Sequence, residues 1–163
     1  MVFFFILLFI LIILILYSIL YKTYSIKKIV NLIKISLEKK HQTIVIKNVT
    51  RNIYEVDADS EKYLFFICLI PLNTTVQINN STTWELKIAN SSSAGASHNK
   101  TRYLNKISNF MNIETERKKI IIFTPNPKKV VMYINECEII NVDVKTNVYG
   151  TNIIRIDDIS KLK

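Results

Sequence analysis

The stretch VFFFILLFILIILILYSILY, residues 2–21, decides how the rest of the chain is read. It has no charge and a single aliphatic hydroxyl, Ser18. A helix rises about 1.5 Å per residue, so such a run is about 30 Å long, the thickness of a bilayer's hydrocarbon. Each Leu, Ile or Phe at mid-bilayer favours insertion by about 0.3–0.6 kcal/mol, and the run is almost entirely these residues. A cleaved signal peptide instead needs basic residues, an apolar core of about 7–15 residues and small residues at the cleavage site. No Lys or Arg precedes the run, and bulky Leu20, Tyr21 and Tyr24 stand at its exit. The expectation is an uncleaved anchor, residues 1–21, that tethers everything after it.

Beyond the anchor lie roughly 140 residues, enough for one domain with its own core. All of the net charge of +9 is found there. Lys22, Lys27, Lys28, Lys34, Lys39 and Lys40 face a single acid, Glu38, in the segment next to the anchor. Such a collar favours the cytoplasmic side and attracts anionic lipid headgroups, by about 1 kcal/mol per Lys near the surface. Six glycosylation sequons, at Asn48, Asn73, Asn79, Asn80, Asn90 and Asn99, point to the opposite face. In so Asn-rich a chain they also arise by chance, and the charge rule takes precedence.

From Tyr24 to Lys40, Ile26, Ile29, Val30, Ile33 and Leu37 recur at helical spacing, with Lys27, Lys28 and Lys34 opposite. Residues 22–41 are therefore expected as a basic amphipathic helix that continues the anchor, and residues 42–163 as an α+β domain. In that domain Thr43–Lys47, Asn52–Val56, Lys62–Leu69, Thr74–Ile78 and Thr83–Ala89 have strand character. Lys62–Leu69 (KYLFFICL) is apolar on both faces. Trp84, Leu86 and Ile88 alternate and should share an inward face. Asn90–Asn99 is loop-like. Tyr103, Leu104, Ile107, Phe110 and Met111 predict a helix over Lys100–Asn112 capped by Asn99. Lys119–Thr124 is a buried strand stopped by Pro125 and Pro127, and Val130–Ile134 with Cys137–Val144 reads as a hairpin around Asn135-Glu136. Asn152–Ile156 is the last strand, with Asp157-Asp158 at the start of a terminal half-turn. The expected class is α+β: a single transmembrane helix and one mixed-sheet domain of about eight strands and two or three helices.

Cys68 and Cys137 lie in apolar runs and are expected as buried free thiols; a bridge between them would need an oxidising compartment. Two His and no Cys-x-x-Cys argue against a structural zinc site. His98 reads as a loop or helix-start residue rather than a ligand. Lys100, Arg102, Lys106, Arg117, Lys118 and Lys119 with Tyr103 offer a basic face, but the interspersed Glu114 and Glu116 favour a plain solvated surface, and no nucleic-acid partner is expected.

The one catalytic constellation to test is Mg²⁺-dependent phosphodiester cleavage, in which acids hold the metal and a Lys orients the attacking water. The order of strands, Trp-bearing strand, loop, helix and apolar strand resembles the nuclease-related domain of membrane-anchored bacterial proteins. That resemblance implies a restriction-endonuclease-like core with Asp57 as first acid, but it puts Cys68 and Ile70 where the second acid and the Lys belong, so the core would be degenerate. A second register offers Glu136 or Glu138 with Asp143 and Lys145, too near the end for the helix and strand that complete such a site. No catalytic, cofactor or metal residues are assigned.

The apolar run with its downstream Lys, then His98-Asn-Lys-Thr-Arg-Tyr103, then IIIFTPNPKKVVMYINECEIINVDVKTNVYG (Ile120–Gly150) resembles the per os infectivity factor 4 family, small envelope proteins of occlusion-derived virions in baculoviruses and nudiviruses. The resemblance implies a non-enzymatic, single-pass component of a multiprotein entry complex that acts in oral infection of the insect midgut. It further implies envelope-protein partners and sorting to the virion envelope through the host inner nuclear membrane. The alternative is a membrane-tethered, Mg²⁺-dependent nuclease-related protein.

Overall fold

A computed structural model describes residues 2–88, 100–135 and 137–161. Helix α1, Val2–Glu38, leads into three strands, β1 (Ile44–Thr50), β2 (Ile53–Ala58) and β3 (Glu61–Leu69). The chain then forms β4 (Thr74–Ile78), β5 (Trp84–Ile88), β6 (Lys100–Tyr103) and helix α2 (Asn105–Met111). It continues through β7 (Lys118–Thr124), β8 (Lys129–Tyr133), β9 (Ile139–Asn141), β10 (Asn147–Val148), β11 (Thr151–Arg155) and a 3₁₀ helix, Ile156–Lys161.

The strands form two mixed sheets. One is ordered β1-β2-β3-β7-β11-β10 and the other β6-β5-β4-β8-β9. Their centres are built by one device used twice. The apolar strands β3 and β7 pair in parallel in the first sheet, each then meets a Pro-bearing corner, and β4 and β8 pair in parallel in the second. Pro71, Pro125 and Pro127 cannot donate to a ladder, so each corner ends its strand and sends the chain to the other sheet. The corners are tied together: Ile70 N–H donates to Thr124 O at 2.9 Å and Lys128 N–H to Thr74 O at 2.8 Å.

Three layers result. Between the sheets lie Leu64, Phe66, Val76, Ile78, Trp84, Leu86, Ile121 and Phe123, closed at one end by Ile107 and Phe110 of α2. On the other face of the first sheet, Val56, Phe65, Ile67, Ile120, Ile122 and Ile154 meet Ile26, Ile29, Ile33 and Leu37 of α1. β3 and β7 thus bury both faces, as their unbroken apolar runs require.

The α+β class and the long apolar amino-terminal helix stand, and so do the strands expected around β1–β5, β7, β8 and β11. The strands, however, fall in two sheets, and eleven are present among the described residues rather than about eight. The helix expected over Lys100–Asn112 begins only at Asn105, because Lys100–Tyr103 pairs with β5 in register Ile88↔Lys100 to Glu85↔Tyr103. Tyr103 matched the helical spacing by coincidence; it is 61% exposed and packs in no core. The expected loop Asn90–Asn99, the Asn99 cap, His98 and Glu136 lie outside the described residues. Cys137 is exposed, not buried, because it sits in the β8–β9 turn, where Asn135 Oδ1 accepts the backbone N–H of Cys137 and Glu138. Tyr149 and Gly150 both take positive φ (50° and 79°) in the two-residue turn joining β10 to β11, the geometry that matches hairpin twist.

Candidate functional site

The feature with most functional content is α1, which changes character along its length. Its Phe4–Glu38 portion has a mean hydropathy of 3.0 in its most apolar window, none of that window is buried, and it is long and apolar enough to cross a membrane. Large apolar side chains from Phe4 to Tyr24 stand exposed. One turn later Ile26, Ile29, Ile33 and Leu37 are 1–3% exposed. Tyr17, Tyr21 and Tyr24 come at four- and three-residue spacing, all exposed, with the first two rings stacked at 6.4 Å. Tyr is the residue type that prefers a membrane–water boundary. Lys22, Lys27, Lys28, Lys34, Lys39 and Lys40 are all exposed around the transition.

The end of α1 is fastened twice. Ser36 Oγ donates to Ile159 O at 2.9 Å in a buried contact with the 3₁₀ helix. Past the helix, Asp59 in the β2–β3 turn gathers the connector: its carboxylate accepts Thr43 Oγ1 at 2.7 Å, Thr43 N–H at 2.9 Å and Gln42 N–H at 3.1 Å, with His41 Nδ1 at 3.2 Å. These donors, Thr43's hydroxyl first, hold the Asp59 carboxyl down at about 2, from an ordinary 3.8. A depressed folded-state value contributes stability that is complete above about pH 4 and lost as pH falls through about 2. The difference in stability between wild type and Asp59→Asn is therefore expected to be constant at neutral pH and to shrink between pH 4 and pH 2, measured by urea titration. A difference that does not change over that range would show that the carboxylate does not carry the clamp.

Beside the clamp, Arg117 bridges Asp57 and Glu55 of β2, the latter at 3.6 Å, and Lys118 pairs with Glu61 at 3.1 Å while standing 5.6 Å over the Tyr63 ring. Asp57 is held below the usual carboxylate range chiefly by its hydrogen bond from Arg117. Lys119 Nζ donates to Met111 O at 2.6 Å. So three of the six cations that the sequence offered as one basic face are engaged locally.

The nuclease residues are not brought together. Asp57 is ion-paired, and Cys68 and Ile70 are buried between the sheets. Asp143 sits in a turn rather than on a strand, its carboxylate accepting Lys145 N–H at 2.9 Å and Thr146 Oγ1 at 2.8 Å. Glu138 is at the other end of β9, against Asn135. Among the described residues no group of three His, Cys, Asp or Glu side chains is placed to hold a metal ion. Burial pushes the Cys68 thiol up to about 12, while Cys137 is exposed, and both are free. At neutral pH a maleimide is expected to label one thiol per native chain and two after denaturation, counted by intact mass; two labels on the native chain would contradict the burial.

A half-open cleft of about 300 Å³ was not foreseen. It lies where the β1–β2 turn meets α2, with a floor of Ile53, Phe66, Phe110 and Ile113 and a rim bearing Arg51 and Lys106. Its residues come from three distant segments, so no local motif announces it. No family model, curated protein or solved structure matches this chain.

Proposed function

We propose that the chain is a non-enzymatic, single-pass membrane protein that holds an assembly domain at the bilayer surface, where it docks with other envelope proteins. The observation that supports this is the unbroken passage of α1 from an exposed apolar stretch into the core of the body, with no linker between. A flexible tether would let the body roam; a shared helix sets its height and orientation. The resemblance to the per os infectivity factor 4 family supplies the setting: a virion envelope reached through the inner nuclear membrane, and an entry complex used in oral infection. The Lys collar adds attraction to anionic headgroups beside the anchor.

The test is alkaline carbonate extraction followed by native-gel analysis of solubilised envelopes. The full chain is expected in the membrane pellet and in a high-mass complex, and the chain lacking residues 2–21 in neither. Assembly of the untethered chain would overturn the proposal. So would Mg²⁺-dependent DNA cleavage by the pure full chain that is lost in Asp143→Ala, which would favour the nuclease-related reading with a working site.

A further inference from the structure

We infer that the cleft between the β1–β2 turn and α2 binds a single-chain anionic lipid, with its headgroup on Arg51 and Lys106 and its acyl chain along the half-buried Ile53 and Ile113. The accessible apolar surface of the cleft is that of Ile53 and Ile113, both half-buried, backed by Phe66 and Phe110, which are stacked at 5.3 Å and almost fully buried. The only charged residues lining the cleft are the two cations. Neither takes part in an ion pair among the described residues, whereas Arg117, Lys118 and Lys34 do. Two positive groups with no acid beside them therefore flank an apolar hollow. Such a rim favours a carboxylate or phosphate and disfavours a neutral or cationic head.

The size fits the same class. At about 300 Å³ the hollow is at the small end of the ligand-site range, the size for one short chain. Asn52 and Asn109 also line the cleft, the Asn52 amide N–H donating to Ile67 O at 2.9 Å. A second cleft, about 450 Å³, mixes Asp143 and Asp158 with Lys145 and Arg155 and has no such bias. A lipid rather than an acidic peptide is favoured because the apolar helix places the chain where single-chain lipids concentrate. That preference rests on the proposed membrane anchoring; the charge and shape of the cleft do not.

The experiment uses the full chain in neutral phosphatidylcholine nanodiscs and titrates a dodecanoate brominated near its methyl end. Trp84, the only Trp, shares the buried cluster of Phe66 and Phe110 and reports a bromine in the cleft by quenching. Saturable quenching is expected in wild type. The apparent affinity should fall at least tenfold in Arg51→Glu/Lys106→Glu, both residues being exposed, and at least tenfold when the bromo-dodecanoate is replaced by the bromo-dodecanol. Lys87→Glu/Lys129→Glu, which changes the same net charge on the second sheet, should leave it unaltered. Equal quenching in wild type and the Arg51/Lys106 variant, or none in either, would overturn the inference. Binding of a fluorescent Phe-Glu peptide with no response to the acyl carboxylate would assign the cleft to a peptide and overturn it too. Failure of anchoring reads out separately, as loss of co-elution with the nanodisc.

Discussion

Deletion of residues 2–21 is expected to leave a folded, water-soluble body, and deletion of residues 2–38 to unfold it. The two shortened chains differ by residues 22–38, nearly five turns of helix. In those turns Ile26, Ile29, Ile33 and Leu37 fill the face of the first sheet against Phe65, Ile67, Ile120, Ile122 and Ile154. Truncating one buried Ile or Leu to Ala typically costs about 2–5 kcal/mol. Losing four at once is comparable with the whole stability of an ordinary domain, about 5–15 kcal/mol. It would also leave an apolar sheet face open to water, an aggregation surface. By contrast, the side chains described between Phe4 and Tyr21 are exposed, so their removal deletes no packing. Circular dichroism and gel filtration of the two shortened chains check this. A soluble, cooperatively unfolding protein made of residues 39–163 would show that the second half of α1 lies on the body without supporting it. Ile33→Asp in the chain lacking only residues 2–21 is the point-mutation counterpart and should give the same loss, since an unpaired carboxylate would sit where Ile33 is 1% exposed.

Much of this architecture was legible because periodicity and burial obey the same geometry. The stripe of α1 and the two-faced run of β3 could be read directly, since each residue's neighbours are set by a period of 3.6 or 2. Reading failed where a contact between distant segments outweighed the local pattern. Lys100–Tyr103 looks helical only if Tyr103 is counted as core; pairing with β5 makes it an edge strand. Cys137 looks buried because Ile134 and Ile139 flank it, yet the Asn135 side chain folds that segment into a turn, and both Ile are themselves exposed. The division into two sheets was illegible for a similar reason. A corner at Pro71 or Pro125 ends a strand, but nothing local says in which layer the next one pairs. The candidate site divides the same way. The helix was visible as composition, whereas the clamp at Asp59 and the cleft are built from segments far apart in sequence, where spacing carries no signal.

That the body has two cores rather than one has its own energetic consequence. Phe66 and Phe110 pack between the sheets with rings stacked at 5.3 Å, while Ile33 packs on the far face of the first sheet. Each of Phe66→Ala and Phe110→Ala is expected to cost about 3–5 kcal/mol, as for large buried aromatics, and Ile33→Ala about 2–5 kcal/mol. The costs should combine differently. Phe66 and Phe110 touch, so the first truncation already loosens the site of the second, and the double variant should fall short of the sum by about 0.5–1.5 kcal/mol. Ile33 and Phe110 lie in different cores, separated by the hydrogen-bonded plane of the sheet, so their costs should add to within about 0.5 kcal/mol. Urea titration of the chain lacking residues 2–21, followed through Trp84 fluorescence, measures the three single and two double variants on one scale. Coupling above about 1 kcal/mol between Ile33 and Phe110 would mean that β3 and β7 transmit strain from one face to the other. The helix from the membrane and the cleft above α2 would then be mechanically one unit, and occupancy of the cleft would be felt at the anchor.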